Sequence, residues 1–308
     1  MREAAEAVVR DSLGVQAGER VLVVADTRTQ AIGEALRTAA SGVGAEAVLA
    51  LMDPRERHAQ EPPDAIAAAF LACDVFIAPT IASLSHTKAR KAASENGARG
   101  ATLPGVTEDL LTRLMTADLQ EVKRRSDAVA ELLTAADQAH VSCPRGTDFT
   151  LDLTGRSGYS DDGDLKHDNA FGNLPCGEGF VAPLNGSGRL IVSSLAGIGL
   201  GYGDLLVEDG RLTSAGGDEG EQLLATLLKA GELGTNLAEL GVGTNEKATL
   251  TGIVLEDEKM LGTVHIAFGA SMGIGGTVSV PVHLDSVVLD PTLRIGDTPV
   301  IEAGRFLL

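Results

Sequence analysis

His265 and, eighteen positions on, the triplet His283-Leu284-Asp285 lie in a stretch that otherwise reads as glycine-rich strands and tight turns. Imidazole and carboxylate ligands suit Zn, Fe(II), Co or Mn, and the two-residue period of a strand sends the His283 and Asp285 side chains to one face. These groups could therefore share one ion. A lone histidine in an apolar strand is more often a hydrogen-bonded core residue than a ligand, but here the surrounding sequence reverses that reading. Glu178 follows Pro175-Cys176-Gly177, a stiff turn that can aim a side chain accurately, which makes it the first candidate catalytic carboxylate. The plain alternative is an exposed turn glutamate. Glu239 lies between Ala238 and Leu240 at the edge of a glycine-spaced strand, where it either points outward or is buried and paired with a cation.

The elements that must position these groups fall into two regions. Arg20 to Ala25 is a β-branched and aliphatic run bounded by Gly18 and Asp26, as expected of a strand buried on both faces. Helical spacing over Ala31 to Ala40, a strand over Ala45 to Leu51, a helix from Pro62-Pro63 through Leu71, a strand over Asp74 to Ala78, a helix over Lys88 to Asn96 and a strand over Ala98 to Leu103 follow in turn. Repeated βα units imply an α/β N-terminal domain with a parallel sheet and flanking helices. Thr107 to about His140 reads as one helical bridge, with Lys123-Arg124-Arg125 a solvated patch on it. From Ser142 onward helical periodicity nearly vanishes outside Gly220 to Ala230, so residues 141–308 read as a C-terminal α+β domain rich in antiparallel β, after an α/β domain and bridge over 1–140.

The chain has 308 residues, 44% hydrophobic and 22% charged with no tryptophan, the profile of a globular protein of two domains. A net charge of -18 without a basic stripe disfavours nucleic acid and anionic membrane as partners. The acid is concentrated C-terminally: residues 141–308 carry 10 basic and 23 acidic side chains, net -13, against 15 and 20, net -5, for residues 1–140. That suits a host for divalent cations. Cys73, Cys143 and Cys176 are odd in number and widely spaced, which argues against a disulfide framework and a cysteine zinc site. No apolar segment approaches the length of a membrane span, and Met1 to Glu6 is a charged helix start without a signal core, so a cytoplasmic location is expected. The apolar tail Phe306-Leu307-Leu308 is weak support for a homo-oligomer.

The segments Asn173 to Pro183 (NLPCGEGFVAP), Glu239 to Asn245 (ELGVGTN), Asp257 to Gly269 (DEKMLGTVHIAFG) and His283 to Asp285 (HLD) together resemble the aminopeptidase T-like metallopeptidase family. Glu61-Pro62-Pro63 and the loop Ser83 to Arg90 extend the resemblance to the N-terminal half. It implies a metal centre of Glu178, Glu239, His265, His283 and Asp285, and two divalent ions (Zn, Co or Mn) that activate water to remove an N-terminal residue from a short peptide or to cleave a small amide, with a glutamate as general base. It also implies association through the β-rich domain.

Two positions depart from the peptidase pattern. Gly177-Glu178 stands where the peptidases have two adjacent glutamates, and Met272 stands where a tyrosine is expected seven residues after the metal histidine. Methionine cannot donate to an oxyanion, a loss of about 3–4 kcal/mol of transition-state stabilisation in other acyl-transfer enzymes. The related branch of 2,5-dihydroxypyridine dioxygenases resembles this chain too. Its single Fe(II), held by two histidines and an aspartate, fits His265, His283 and Asp285, and His86 occupies the place of a histidine that assists the substrate. Ser85 and Arg90 flank it as candidate substrate-binding residues on a loop after a strand's carboxyl end, although Ser85 reads equally as a helix cap and His86 as ordinary surface. The metal-dependent hydrolase is the first expectation and the Fe(II) ring-cleaving dioxygenase the second. A non-catalytic binding protein on the same fold is the third.

Overall fold

A computed structural model describes residues 1–308. The chain forms two compact units, one of residues 1–119 with 163–176 and one of 120–162 with 177–308. No helix is long and apolar enough to cross a membrane.

The first unit is built on five parallel strands: Arg20–Asp26, Glu46–Met52, Val75–Ala78, Arg99–Thr102 and Phe171–Asn173. Their spatial order is second, first, third, fourth, fifth. The Arg20–Asp26 strand lies between Glu46–Met52 and Val75–Ala78 and buries every residue after Arg20, as its unbroken apolar run requires. Helices Gln30–Gly42, Asp64–Phe70 and Lys88–Glu95 follow the first three strands, close to the bounds expected from periodicity. The core gathers Leu22, Val24, Phe70, Phe76 and Leu84. Thr87, not Ser85, caps the Lys88–Glu95 helix, its hydroxyl accepting from the Arg90 amide at 3.3 Å.

The second unit carries a thirteen-stranded antiparallel sheet. Its core of Val181, Leu240, Val242, Val264, Ile266, Phe268 and Val288 lies on one face of the central strands, with Phe149, Leu190 and Val207 from their neighbours. The helix Asp218–Leu228 is where the isolated apolar period placed it.

Three expectations are corrected. The chain does not divide at 140: residues 163–176 return to the first unit, because Phe171–Asn173 adds a strand beside Arg99–Thr102. Thr107 to His140 is not one helix. It is Glu108–Leu114, then Leu119–Ala135, then a strand Gln138–Ser142 whose alternation buries Ala139 and Val141. The Thr116 hydroxyl turns back onto the Arg113 carbonyl at 2.8 Å, a side-chain bond that competes with continuation of the helix. Nor is the longer helix a bridge. From Gln120 it belongs to the second unit, where a Cβ on Gly179 would lie 2.7 Å from Val129, so helix and sheet are in direct contact. Phe306 and Leu308 are partly buried against the core of their own unit.

Candidate metal centre

The five candidate ligands lie on adjacent strands of the second unit: Glu178–Val181, Leu237–Gly243, Val264–Gly269 and His283–Val288. Directly paired residues point to the same face, and the registers are Phe180 with Gly241, Gly241 with His265, Glu239 with Ala267, and Ala267 with Asp285. Glu178, Glu239, His265, His283 and Asp285 therefore share one face, and the apolar residues that alternate with them form the core on the other.

Gly241 is what lets His265 lie flat. A Cβ there would sit 2.0 Å from His265 Nε2, so the ring occupies the space a side chain at 241 would need. Nε2 of His265 is 3.1 Å from Glu178 Oε2 and 3.4 Å from Glu239 Oε1. Nε2 of His283 is 3.2 Å from Glu239 Oε2 and 3.5 Å from Asp285 Oδ1. The two imidazoles thus address opposite oxygens of one carboxylate and are not turned away from each other. His283 Nδ1 lies 2.7 Å from the Ala270 carbonyl. A carbonyl only accepts, so Nδ1 donates to it, which leaves Nε2 as the ring atom that faces Glu239 and Asp285 and that a metal ion would take.

This donor set fits a metal ion. Ligand atoms around one ion with bonds of about 2.0–2.2 Å stand about 3.0–3.5 Å from one another, and the four contacts fall at 3.1–3.5 Å. Glu178 Oε2 is buried without a hydrogen-bond partner, since its approach to His265 lacks hydrogen-bond alignment. The ligand atoms form two overlapping groups, Glu178–Glu239–His265 and Glu239–His283–Asp285, joined by Glu239.

A lysine and two further carboxylates, missed in the sequence, gather around Glu178. Asp257-Glu258-Lys259 reads as a polar turn, but Asp257 and Lys259 are fully buried and Glu258 is mostly covered. Lys259 Nζ, fully enclosed, donates to Glu178 Oε1 and to Glu258 Oε1 at 2.8 Å each, and Asp161 Oδ2 is 3.4 Å away. Asp257 accepts from the Ser194 hydroxyl and from the amides of Thr251 and Gly252, which fixes the loop before Lys259. Burial pushes the Glu178 carboxyl up, but Lys259 and His265 outweigh it and hold the group at about 2. A carboxylate so acidic is a poor general base near neutral pH, which fits a ligand better than a proton acceptor. Burial, with the charge of Glu178, pushes Asp161 up to about 7 and Glu258 up to about 8. The one sequence signal for Lys259 is a lysine between acids and the apolar Met260-Leu261.

The remaining predicted residues lie elsewhere. Ser85, His86 and Arg90 are in the first unit, between the Val75–Ala78 strand and the turns of the next helix. His86 is exposed. The Ser85 hydroxyl is buried in a network with Ser83, Thr102 and Asn173, at 2.8, 2.7 and 3.3 Å. Arg90 donates to the Ser85 carbonyl at 2.7 Å and stacks over Phe171 at 4.0 Å. Both side chains are thus engaged within their own unit. Met272 is 59% exposed in a single 3-10 turn, Met272–Ile274. At Gly177 (φ 133°) a Cβ would lie 2.7 Å from Asn245 Cβ. The position where the peptidases carry a second glutamate has no room for one.

A family model described as NicX: 2,5-dihydroxypyridine 5,6-dioxygenase matches residues 3–308. No curated protein matches the chain. Among solved structures, a 2,5-dihydroxypyridine dioxygenase from Pseudomonas putida KT2440 superposes with a TM-score of 0.85 at 20% identity, covering 99% of this chain and 96% of that one. Wild-type AmpT from Thermus thermophilus gives a TM-score of 0.73 at 20% identity, covering 100% and 98%. These likenesses show a common fold.

Proposed function

Because the chain belongs to the 2,5-dihydroxypyridine 5,6-dioxygenase family, we propose that it is a non-haem Fe(II) dioxygenase that opens a hydroxylated pyridine ring with molecular oxygen. The carrying observation is that His265, His283 and Asp285, donor types suited to Fe(II), lie on one sheet face, with Glu239 standing between His265 and the pair His283 and Asp285. Bound there, the iron would supply oxygen activation and a positive anchor for the oxygen atoms of the substrate. Glu239 spaces the two rings by facing both Nε2 atoms. Lys259 restrains one oxygen of Glu178 and leaves the other facing His265.

This reading displaces the hydrolase expected first. The family match favours ring cleavage, the second glutamate has no room at Gly177, and Met272 supplies no oxyanion donor. One observation keeps hydrolysis as the second reading: Glu239 joins two ligand groups, as a carboxylate bridging two ions does.

Metal analysis with oxygen uptake decides. Purified protein holding about one iron per chain and consuming oxygen with 2,5-dihydroxypyridine supports the proposal. Two zinc, cobalt or manganese ions per chain, with release of N-terminal residues from peptides and no oxygen uptake, would overturn it. Unimpaired function of His283→Ala would remove both enzymes in favour of a binding protein.

A further inference from the structure

The face that carries the metal ligands continues past them onto two aromatic rings. Phe180 pairs with Gly241, and Tyr159, on the neighbouring strand Gly158–Asp161, pairs with Phe180. Adjacent strands are about 4.8 Å apart, so one row across the sheet reads Tyr159, Phe180, Gly241, His265. The His265 ring lies over Gly241, which places Phe180 immediately beside the ligand cluster. The next row begins Asp161, Glu178, the outer and inner carboxylates of the same cluster.

The two rings are stacked, with centroids 5.8 Å apart and planes at 26°. Tyr159 is 42% exposed, and Phe180 is partly open. The structure gives the Tyr159 hydroxyl no buried polar role, and no apolar core residue of the opposite face can reach either ring. The turn after Met272 rests on the far edge of Tyr159: a Cβ on Gly275 would lie 2.9 Å from both Cε2 and Oη. The same segment begins at Ala270, whose carbonyl orients His283. The rings are therefore held in place from both ends, by the sheet and by this turn.

We propose that Tyr159 and Phe180 form an aromatic shelf that selects a flat, aromatic substrate ring for the metal cluster beside it. The inference rests on the ring-cleavage reading for its substrate class. It adds two specificity residues that are not ligands. Stacking on them favours a planar ring over a peptide, and its strength is set by the area of ring overlap.

The test uses Zn(II)-loaded protein, which binds without turning over, and 2,5-dihydroxypyridine as probe, with the dissociation constant read by titration calorimetry under nitrogen. Tyr159→Leu and Phe180→Leu are each expected to weaken binding about threefold to tenfold, as for loss of one ring contact, while zinc content stays unchanged. Tyr159→Phe keeps the ring and is expected to bind within about twofold of the parent. Unchanged binding in both leucine variants would overturn the shelf, as would a parent protein that does not bind the ring. The two proposals fail separately. Weakened binding in the variants with no oxygen uptake by the iron-loaded parent leaves the shelf and removes the oxygenase. Oxygen uptake with equal binding by all variants does the reverse.

Discussion

The two units bury charge in opposite ways. In the first, Arg99 is 7% exposed, and its guanidinium meets the Leu13 and Gly14 carbonyls and both oxygens of Glu19, at 2.7, 3.2 and 2.8 Å. One cation meets one anion, and the donors are used. In the second, Lys259 is surrounded by Asp161, Glu178 and Glu258, while Glu239 and Asp285 stand beside two imidazoles. Acid is in excess there, and Glu178 Oε2 is buried with no hydrogen bond. Balanced burial ties a sheet together, whereas buried acid in excess calls for a further cation. The first pattern is scaffold and the second is a site.

The largest expected break in this comparison is Lys259→Met. It leaves three acidic side chains without their shared cation, and removal of one partner from a buried charge cluster destabilises by about 3–5 kcal/mol. Urea denaturation of the metal-free protein should show that loss, and a change under 1 kcal/mol would mean that the acids are held by something other than the lysine. Next comes Gly241→Ala. Its methyl would overlap the buried His265 ring and turn Nε2 from the carboxylates. Displacing a ligand's orientation lowers metal affinity about 10- to 100-fold, which a competition titration with a chromophoric chelator would read. Parent-like affinity would show that the ring can move aside, and with it that the register does not fix the centre.

The same contrast explains what could be read from the sequence. In the first unit, hydrophobic runs and helical periods are local signals, and the bounds of Gln30–Gly42, Asp64–Phe70 and Lys88–Glu95 followed from them. The return of Phe171–Asn173 to the parallel sheet was not legible, because a three-residue strand carries no period and its partner lies some seventy positions earlier. In the second unit, the five ligand types stood out as polar groups among glycines and apolar residues. Their convergence depended on strand register, which only pairing supplies. Lys259 and Asp161 were missed for the same reason. Each looks like an ordinary surface charge next to other charges, and the two meet only because Asp161 pairs with Glu178 across the sheet while Lys259 donates to that same glutamate. The Tyr159 shelf is further still from local signals, since Tyr159 meets Phe180 and Gly275 from 21 and 116 positions away.

Arg99→Met tests the scaffold side and should have a smaller effect than Lys259→Met. Glu19 keeps 22% of its side chain in solvent, so it can rehydrate when its partner is lost. A cost of about 1–3 kcal/mol is expected from the unmade bonds to the Leu13 and Gly14 carbonyls and the exposed carboxylate. A loss equal to that of Lys259→Met would erase the distinction between balanced and unbalanced burial.

The smallest effect concerns acid. Burial raises the Glu19 carboxyl, but the Arg99 guanidinium and the Gln16 amide outweigh it and leave the group below its ordinary value. A depressed carboxylate contributes stability that is complete above the unfolded pKa of about 4.3 and is lost as pH falls through the lower folded value. The contribution of a pair open to solvent at one end is about 1 kcal/mol or less. Glu19→Gln should therefore lie below the parent in stability near pH 6 and approach it near pH 3, because the parent loses the pair on protonation whereas the amide has nothing to lose (ordinary carboxylates titrate at about 4). A gap that stays constant across that range would mean that Glu19 stabilises the first unit by packing and not by its charge.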